Sequence, residues 1–182
     1  MIQEQLAFLP ESLPDYRPFP PAQERAAWQG LPLRVKQRFL QAGDAALQTP
    51  IAPLPLSLWL DFIHTGQRTP WETAYFSRRA RLCALVCAEC VEHTGRFLDA
   101  IADTVWALCE ESAWQLPAHN SYVRDTPQLP LPDTTRPIVD LFAAETGALL
   151  ALTRYLLPDE LDAAAPGITA RMERELDARI LT

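Results

Sequence analysis

The chain has 182 residues and 20.4 kDa, with sixteen Lys and Arg against twenty-three Asp and Glu, a net charge of −7 and a pI near 4.9. That balance argues against general nucleic-acid binding, which needs clustered cations, and no apolar run reaches the roughly 20 residues that span a bilayer. Apolar residues make up 48% and charged residues 21%, the composition of one globular domain able to bury a core without disulfides or metal.

Seventeen prolines against six glycines predict stiff connections between helices. Residues 8–21 set Pro10, Pro14, Pro18, Pro20 and Pro21 around Tyr16 and Phe19, so residues 1–21 read as an extended arm whose aromatics pack onto a helical domain of residues 22–182. The opening residues carry no basic start, apolar run or small-residue cleavage site, and four cysteines make no disulfide scaffold. The expectation is a cytoplasmic protein with reduced thiols.

A first helical stretch is expected from Ala22 to Gln48, broken near Gly30 and Pro32 and ended by Pro50, Pro53 and Pro55. A short helix runs from Leu56 to His64, with His64 as a cation against its C-terminal dipole and Gly66 as its stop. The long helix comes next, with Thr69 as N-cap, Pro70 at the first position and Glu72 in the first turn, running to His93 before Gly95. Its middle, Leu82 to Ala88, is apolar on every side and predicts enclosure. From Arg96 to Ser112, Phe97, Ile101, Val105, Leu108 and Ser112 share a face, with Asp99 and Asp103 outside. The short Thr94-Gly95 link makes the pair an antiparallel hairpin.

Residues 113–134 form a proline-punctuated stretch of a length that is usually functional when ordered. Helix resumes near Pro137, where Ile138, Phe142, Leu149, Leu152 and Leu156 fall at helical spacing. Pro158 opens a short turn, and Pro166 opens a last helix with Ile168, Met172, Leu176 and Ile180 on one face. No segment alternates with period two, so the fold class is all-α, built of helix hairpins of the kind that stack in arrays or toroids. The last helix reaches Thr182 without a cap. This reads as a domain cut short, which exposes an apolar helix face and is expected to self-associate through it.

Cys83-x3-Cys87-x2-Cys90 has the spacing of a radical S-adenosylmethionine cluster motif. On a helix, however, these residues form one stripe rising along the axis, a row and not a cup. Core packing is the better reading, for Cys109 as well. Glu89, Glu92 and His93 lack the repeated Glu-x-x-His of a di-iron bundle and read as a solvated helix end. No metal or other cofactor is expected.

What remains is the run from Cys109 to Tyr122, in which Glu111, Trp114, His119, Asn120 and Tyr122 fall close together. Aromatic faces with planar polar side chains suit a sugar groove. Glu145 falls at the spacing of the apolar stripe, where a carboxylate must be paired or face a cavity. The alternative is that His119 and Glu145 are satisfied polars that hold the loop down.

Arg96-Phe97-Leu98-Asp99 through Trp106-Ala107-Leu108-Cys109-Glu110-Glu111, then Trp114 with Leu116-Pro117-Ala118-His119-Asn120, resembles heparinase II/III-like proteins. Asp140-Leu141-Phe142-Ala143-Ala144-Glu145-Thr146, Tyr155-Leu156-Leu157 and Asp159-Glu160-Leu161 are similar too, and Arg79 to Glu92 resembles the preceding helix. The resemblance covers about residues 70–182. It implies the N-terminal part of an (α/α) toroid in a polysaccharide lyase that cleaves uronate-containing glycans by β-elimination. In that reaction a Tyr or His base removes the C5 proton, and Asn, His or Arg stabilises the enolate-like intermediate.

The later helices that carry the usual base are not matched here, so the segment is expected to be inactive alone. By the same resemblance His119, Asn120, Tyr122 and Arg124 line the cleft for an acidic polysaccharide, and Trp114, Glu111 and Glu145 line or buttress it. An acidic chain suits a polyanion only if Arg78, Arg79, Arg96 or Arg124 make a local positive patch. A stand-alone helical protein-interaction module without catalysis is the alternative.

Overall fold

The computed structural model describes residues 16–123 and 125–181. Among the described residues eight α-helices occur in chain order: α1 (Arg25–Gln29), α2 (Leu33–Gln48), α3 (Leu56–Thr65), α4 (Thr69–Glu92), α5 (Leu98–Cys109), α6 (Leu141–Leu156), α7 (Pro158–Ala164) and α8 (Ile168–Leu176). A 3₁₀ turn at Pro117–His119 and a π-helical turn at Asp177–Leu181 complete them, and no strand occurs among the described residues. The chain is all-α, and no described helix is long and apolar enough to cross a membrane.

Proline and glycine set the ends. Pro32 and Pro55 hold the positions before α2 and α3, and Gly66 closes α3 in the left-handed region at φ 75°, where a Cβ is costly. Thr69 is the first residue of α4 and not its cap; Arg68 holds the cap position and no side chain caps it. The later Asp140 does cap α6, its carboxylate accepting from Ala143 N at 2.7 Å.

α4 is the axis of the molecule. α5 returns along it antiparallel: Glu89 meets the Phe97 amide, Arg81 meets Thr104, and Arg78 reaches Ala107 O. α2 also runs antiparallel to it, Gly43 lying against Ala88 and the Arg81 guanidinium against the carbonyls of Ala46 and Thr49. A cation at those last carbonyls of α2 opposes the negative end of its dipole. α6 lies on the other flank of α4, with Tyr75 at Phe142 and Thr146.

The main core gathers Leu82, Leu85, Phe97, Ile101, Leu150 and Met172 among others. A second cluster joins Trp59, Trp71, Tyr75, Ala113 and Leu116 beneath the long loop.

Three expectations change. Pro18 to Pro21 are held through backbone carbonyls: Tyr155 Oη donates to Phe19 O and Trp28 Nε1 to Pro20 O and Pro21 O, while the Tyr16 ring stays 85% exposed and Phe19 54%. The remainder of the arm lies outside the described residues. Cys90 and Cys109 are buried as core residues, but Cys83 is exposed and Cys87 half-buried, so α4 is not enclosed on every side. Glu89 is buried and not solvated; its carboxylate accepts from Gly95 N at 2.8 Å and Phe97 N at 3.2 Å and so builds the α4–α5 corner. His93, in the left-handed region at φ 56°, meets Glu160 at 2.8 Å, and Gln23 donates to the same carboxylate.

Candidate functional site

The segment after α5 is ordered by polar side chains of the segment and of the helices around it. Glu110 caps α5, and Arg171 and Arg179 from the C-terminal helices donate to Cys109 O at 3.3 and 3.0 Å, with Arg179 also donating to Glu111 O at 2.6 Å. Cations here satisfy carbonyls that the end of α5 leaves open. The chain then turns inward, burying Trp114 with Nε1 donating to Leu108 O at 2.9 Å and its ring under Arg179.

Glu111 is buried between two arginines of α4. Arg79 grips it with Nη1 and Nη2 at 2.9 and 2.6 Å, and Arg78 Nη1 approaches at 3.1 Å. The Arg79 guanidinium also lies 3.3 Å from the centre of the Tyr75 ring and donates to Thr146. A bidentate pair with this geometry positions the loop against α4. Tyr75 contributes its hydroxyl to Trp114 O at 2.7 Å, and burial pushes its phenol up to about 12 despite the nearby Arg79 cation.

Further along, Asn120 is fully buried and spends its side chain on the loop, accepting from Gln115 Nε2 and donating to Leu129 O at 2.8 Å. His119 Nδ1 lies 2.6 Å from Asp140, its ring stacks on Phe142, and its side chain is 37% exposed. Tyr122 Oη donates to Asp133 at 2.7 Å, under the Arg136 guanidinium. Hydrogen bonds from Thr135 and Tyr122 pull the Asp133 carboxyl down to about 2, and the bond to Asp133 in turn raises the Tyr122 phenol.

The six described candidates of the seven therefore do not converge. Glu111 and Trp114 brace the turn after α5, Asn120 staples the loop, His119 meets the start of α6, and Tyr122 lies at the loop's outer edge. Arg124 lies outside the described residues. Glu145 is exposed, not set in an apolar stripe. The buried face of α6 is Ala143, Thr146, Gly147, Leu150, Thr153 and Leu156; of the expected line Leu156 belongs to it, whereas Phe142, Leu149 and Leu152 are offset from it. The positive patch is not formed among the described arginines either, because Arg78 and Arg79 are paired with Glu111, and Arg96 with Glu92 and Asp44.

What the fold does build is a cleft of about 620 Å³ beside Glu110–Ala113, walled by Trp59, Trp71, Trp106, Arg78 and the loop at Leu131–Thr134. Trp59 Nε1 donates to Pro130 O at 3.1 Å, which holds that loop over the opening. The Trp71 indole N–H is buried without an acceptor, and Trp106 is 53% exposed. A smaller hollow of about 300 Å³ lies across the same ridge, between Glu110–Gln115 and Arg171, Glu175 and Arg179.

Of the cleft residues, sequence reasoning singled out Glu111 and the arginine but not Trp59 or Trp71. Their only signal is that three of the five tryptophans fall near the ends of α3, α4 and α5, a proximity set by tertiary packing. An apolar, aromatic wall with a carboxylate at its edge can stack a ring and accept hydrogen bonds. No His or Tyr lines it, and no described group of three or more His, Cys, Asp or Glu could hold a metal ion. No family model matches the chain, and no curated protein matches it significantly.

Proposed function

We propose that this chain is a helical segment of a heparinase II/III-like polysaccharide lyase, its hairpins belonging to an (α/α) toroid, and that it supplies one wall of a cleft for uronate-containing glycans. The observation that carries this reading is the tryptophan-walled cleft beside Glu110–Ala113, adjoining the stretch on which the resemblance rests. The half-exposed Trp106 indole, with the Arg171 guanidinium 5.3 Å from its ring centre on one side, offers its other face to a sugar ring. The Glu110 carboxylate, one oxygen of which Arg171 meets at 3.0 Å, accepts from hydroxyls with the other.

Arg78 and Arg79 are already balanced by Glu111, so this wall contacts ring faces and hydroxyls more than uronate charge. The lining holds neither a Tyr nor a His. The proton-abstracting base is then not among these lining residues, and the chain binds without turnover.

Tryptophan fluorescence during titration with a uronate oligosaccharide tests the binding half. Trp106→Ala should weaken binding about three- to tenfold, the worth of one aromatic stacking contact, with little salt dependence. Absence of binding, or equal binding by the variant, removes the reading. Absorbance of the unsaturated elimination product should stay flat, and efficient turnover would overturn the claim that this wall lacks the base.

A further inference from the structure

We propose that the apolar hollow on the outer face of α6 is a docking site for residues 1–15 of this same chain, filled by Leu9 and Leu13. The inference stands apart from the glycan cleft and does not depend on it. Tyr16 and Phe19 wall the hollow on one side and Ala148, Ala151, Leu152 and Tyr155 on the other, around about 420 Å³. The outward residues of α6 at its floor are alanines, so the helix leaves a concavity there. Beside it the rings stay open, Tyr16 85% and Phe19 54% exposed. An apolar concavity left open to water in this way is a surface for contact.

The lining sets the chemistry of the occupant. None of its side chains is charged, Arg17 pairs with Glu24, and the Tyr155 hydroxyl is already spent on Phe19 O. A sugar or an ion finds too few hydrogen-bond partners here. Aliphatic side chains need none and gain by leaving water.

The anchoring of the chain sets the source. Tyr155 holds Phe19 O, and Trp28 holds Pro20 O and Pro21 O, so the segment before Tyr16 departs from the wall of the hollow itself. That segment carries Leu9 and Leu13 with Glu4, Glu11 and Asp15, and neither Lys nor Arg. Each of the two leucines precedes a proline, a position with fewer backbone states to lose on docking. From Ala148 to Tyr155 the hollow follows α6 for about 10 Å. Three residues separate Leu13 from Tyr16 and seven separate Leu9, a reach of about 10 and 24 Å at full extension. Both side chains therefore reach it from that anchor.

A tether this short gives an effective concentration on the order of millimolar, which any untethered competitor must exceed. A second copy would also need about 800 Å² on each partner for a stable interface, several times what a hollow of this length offers. The occupant is thus the chain's own segment.

Nuclear Overhauser contacts in the full, methyl-labelled chain test the proposal. The Leu9 and Leu13 methyls should show contacts to the methyls of Ala148 and Ala151, and a mixture of differently labelled chains tells contacts within one chain from contacts between two. Contacts found only between chains would give the hollow to a second copy and overturn the proposal, and so would contacts from neither leucine. Cleavage after Glu11 by a glutamate-specific protease is the second readout. The double variant Leu9→Ser with Leu13→Ser should be cut there about tenfold faster than wild type, because the docked segment must first open. Equal rates would refute the docking. Both positions precede α1, so circular dichroism of the variant should match wild type; if it does not, the wild-type methyl contacts decide alone.

Discussion

Tyr75 ties three segments together through one atom. Its hydroxyl lies 2.7 Å from Trp114 O, 3.0 Å from Phe142 O and 2.8 Å from Thr146 Oγ1, so α4, the loop and α6 meet there. Burial raises the phenol to about 12, which makes its contribution to stability one that alkali removes. Below pH 10 both native and unfolded chains keep the proton, and the contribution is complete. Between pH 10 and 12 the unfolded phenol ionises while the native one does not, so stability falls by about 1.4 kcal/mol per pH unit, about 3 kcal/mol in all. Cys90 and Cys109 are raised in the same sense and add to the loss from pH 9 upward. Tyr75→Phe should cost about 1–2 kcal/mol at neutral pH for the lost hydrogen bonding and should flatten the decline between pH 10 and 12. Urea midpoints at pH 9 and 11.5 measure both; equal alkaline losses in variant and wild type would refute the assignment. Nothing in the sequence distinguishes Tyr75 from the other tyrosines, because its partners are carbonyls far along the chain.

Helix ends were legible because they depend on near neighbours. Pro55, Gly66, Pro70 and the prolines after Gln48 act within a turn of their own position. Helix faces were less legible where small residues make them. α6 turns Ala143, Thr146, Gly147 and Thr153 inward, and a Cβ on Gly147 would lie 2.9 Å from Ile180. Close helix approach needs small side chains, so Leu150 and Leu156 go inward beside them while Phe142, Leu149 and Leu152 are left half-buried at the flank. The misplacement of Glu145 comes from that offset. The same packing logic governs α2 against α4. At Gly43 an added Cβ would lie 2.3 Å from Ala88 Cβ and 2.9 Å from Phe97. Gly43→Ala gains about 1 kcal/mol in helix propensity, yet overpacking a tight contact costs about 1–3 kcal/mol. The variant should be less stable than wild type, read as a lower thermal midpoint. A higher midpoint would mean that the two helices separate at little cost.

Across the whole molecule, the two apolar clusters are unequal. The large one is enclosed by α4, α5, α6 and α8, whereas the smaller one depends on α3 and the loop. The long loop was legible as a connection outside the helices from its length and prolines. Its tie to α3 was not, since that rests on one indole, Trp59, reaching Pro130 O across 71 positions of sequence. Trp59 is also the one side chain that α3 buries completely. An element with so few buried contacts opens on its own, below the free energy of global unfolding. Amide hydrogen exchange should then be faster in α3 than at Leu82–Cys90 of α4, with residues near Leu129–Leu131 tracking α3. Trp59→Ala removes the anchor of both, so exchange in α3 and that part of the loop should accelerate together while the buried amides of α4 and α5 keep their protection. Were α3 to exchange as slowly as the centre of α4, the two clusters would be one cooperative unit, and the cleft between Trp59 and Trp106 would have a rigid wall where an opening one is expected.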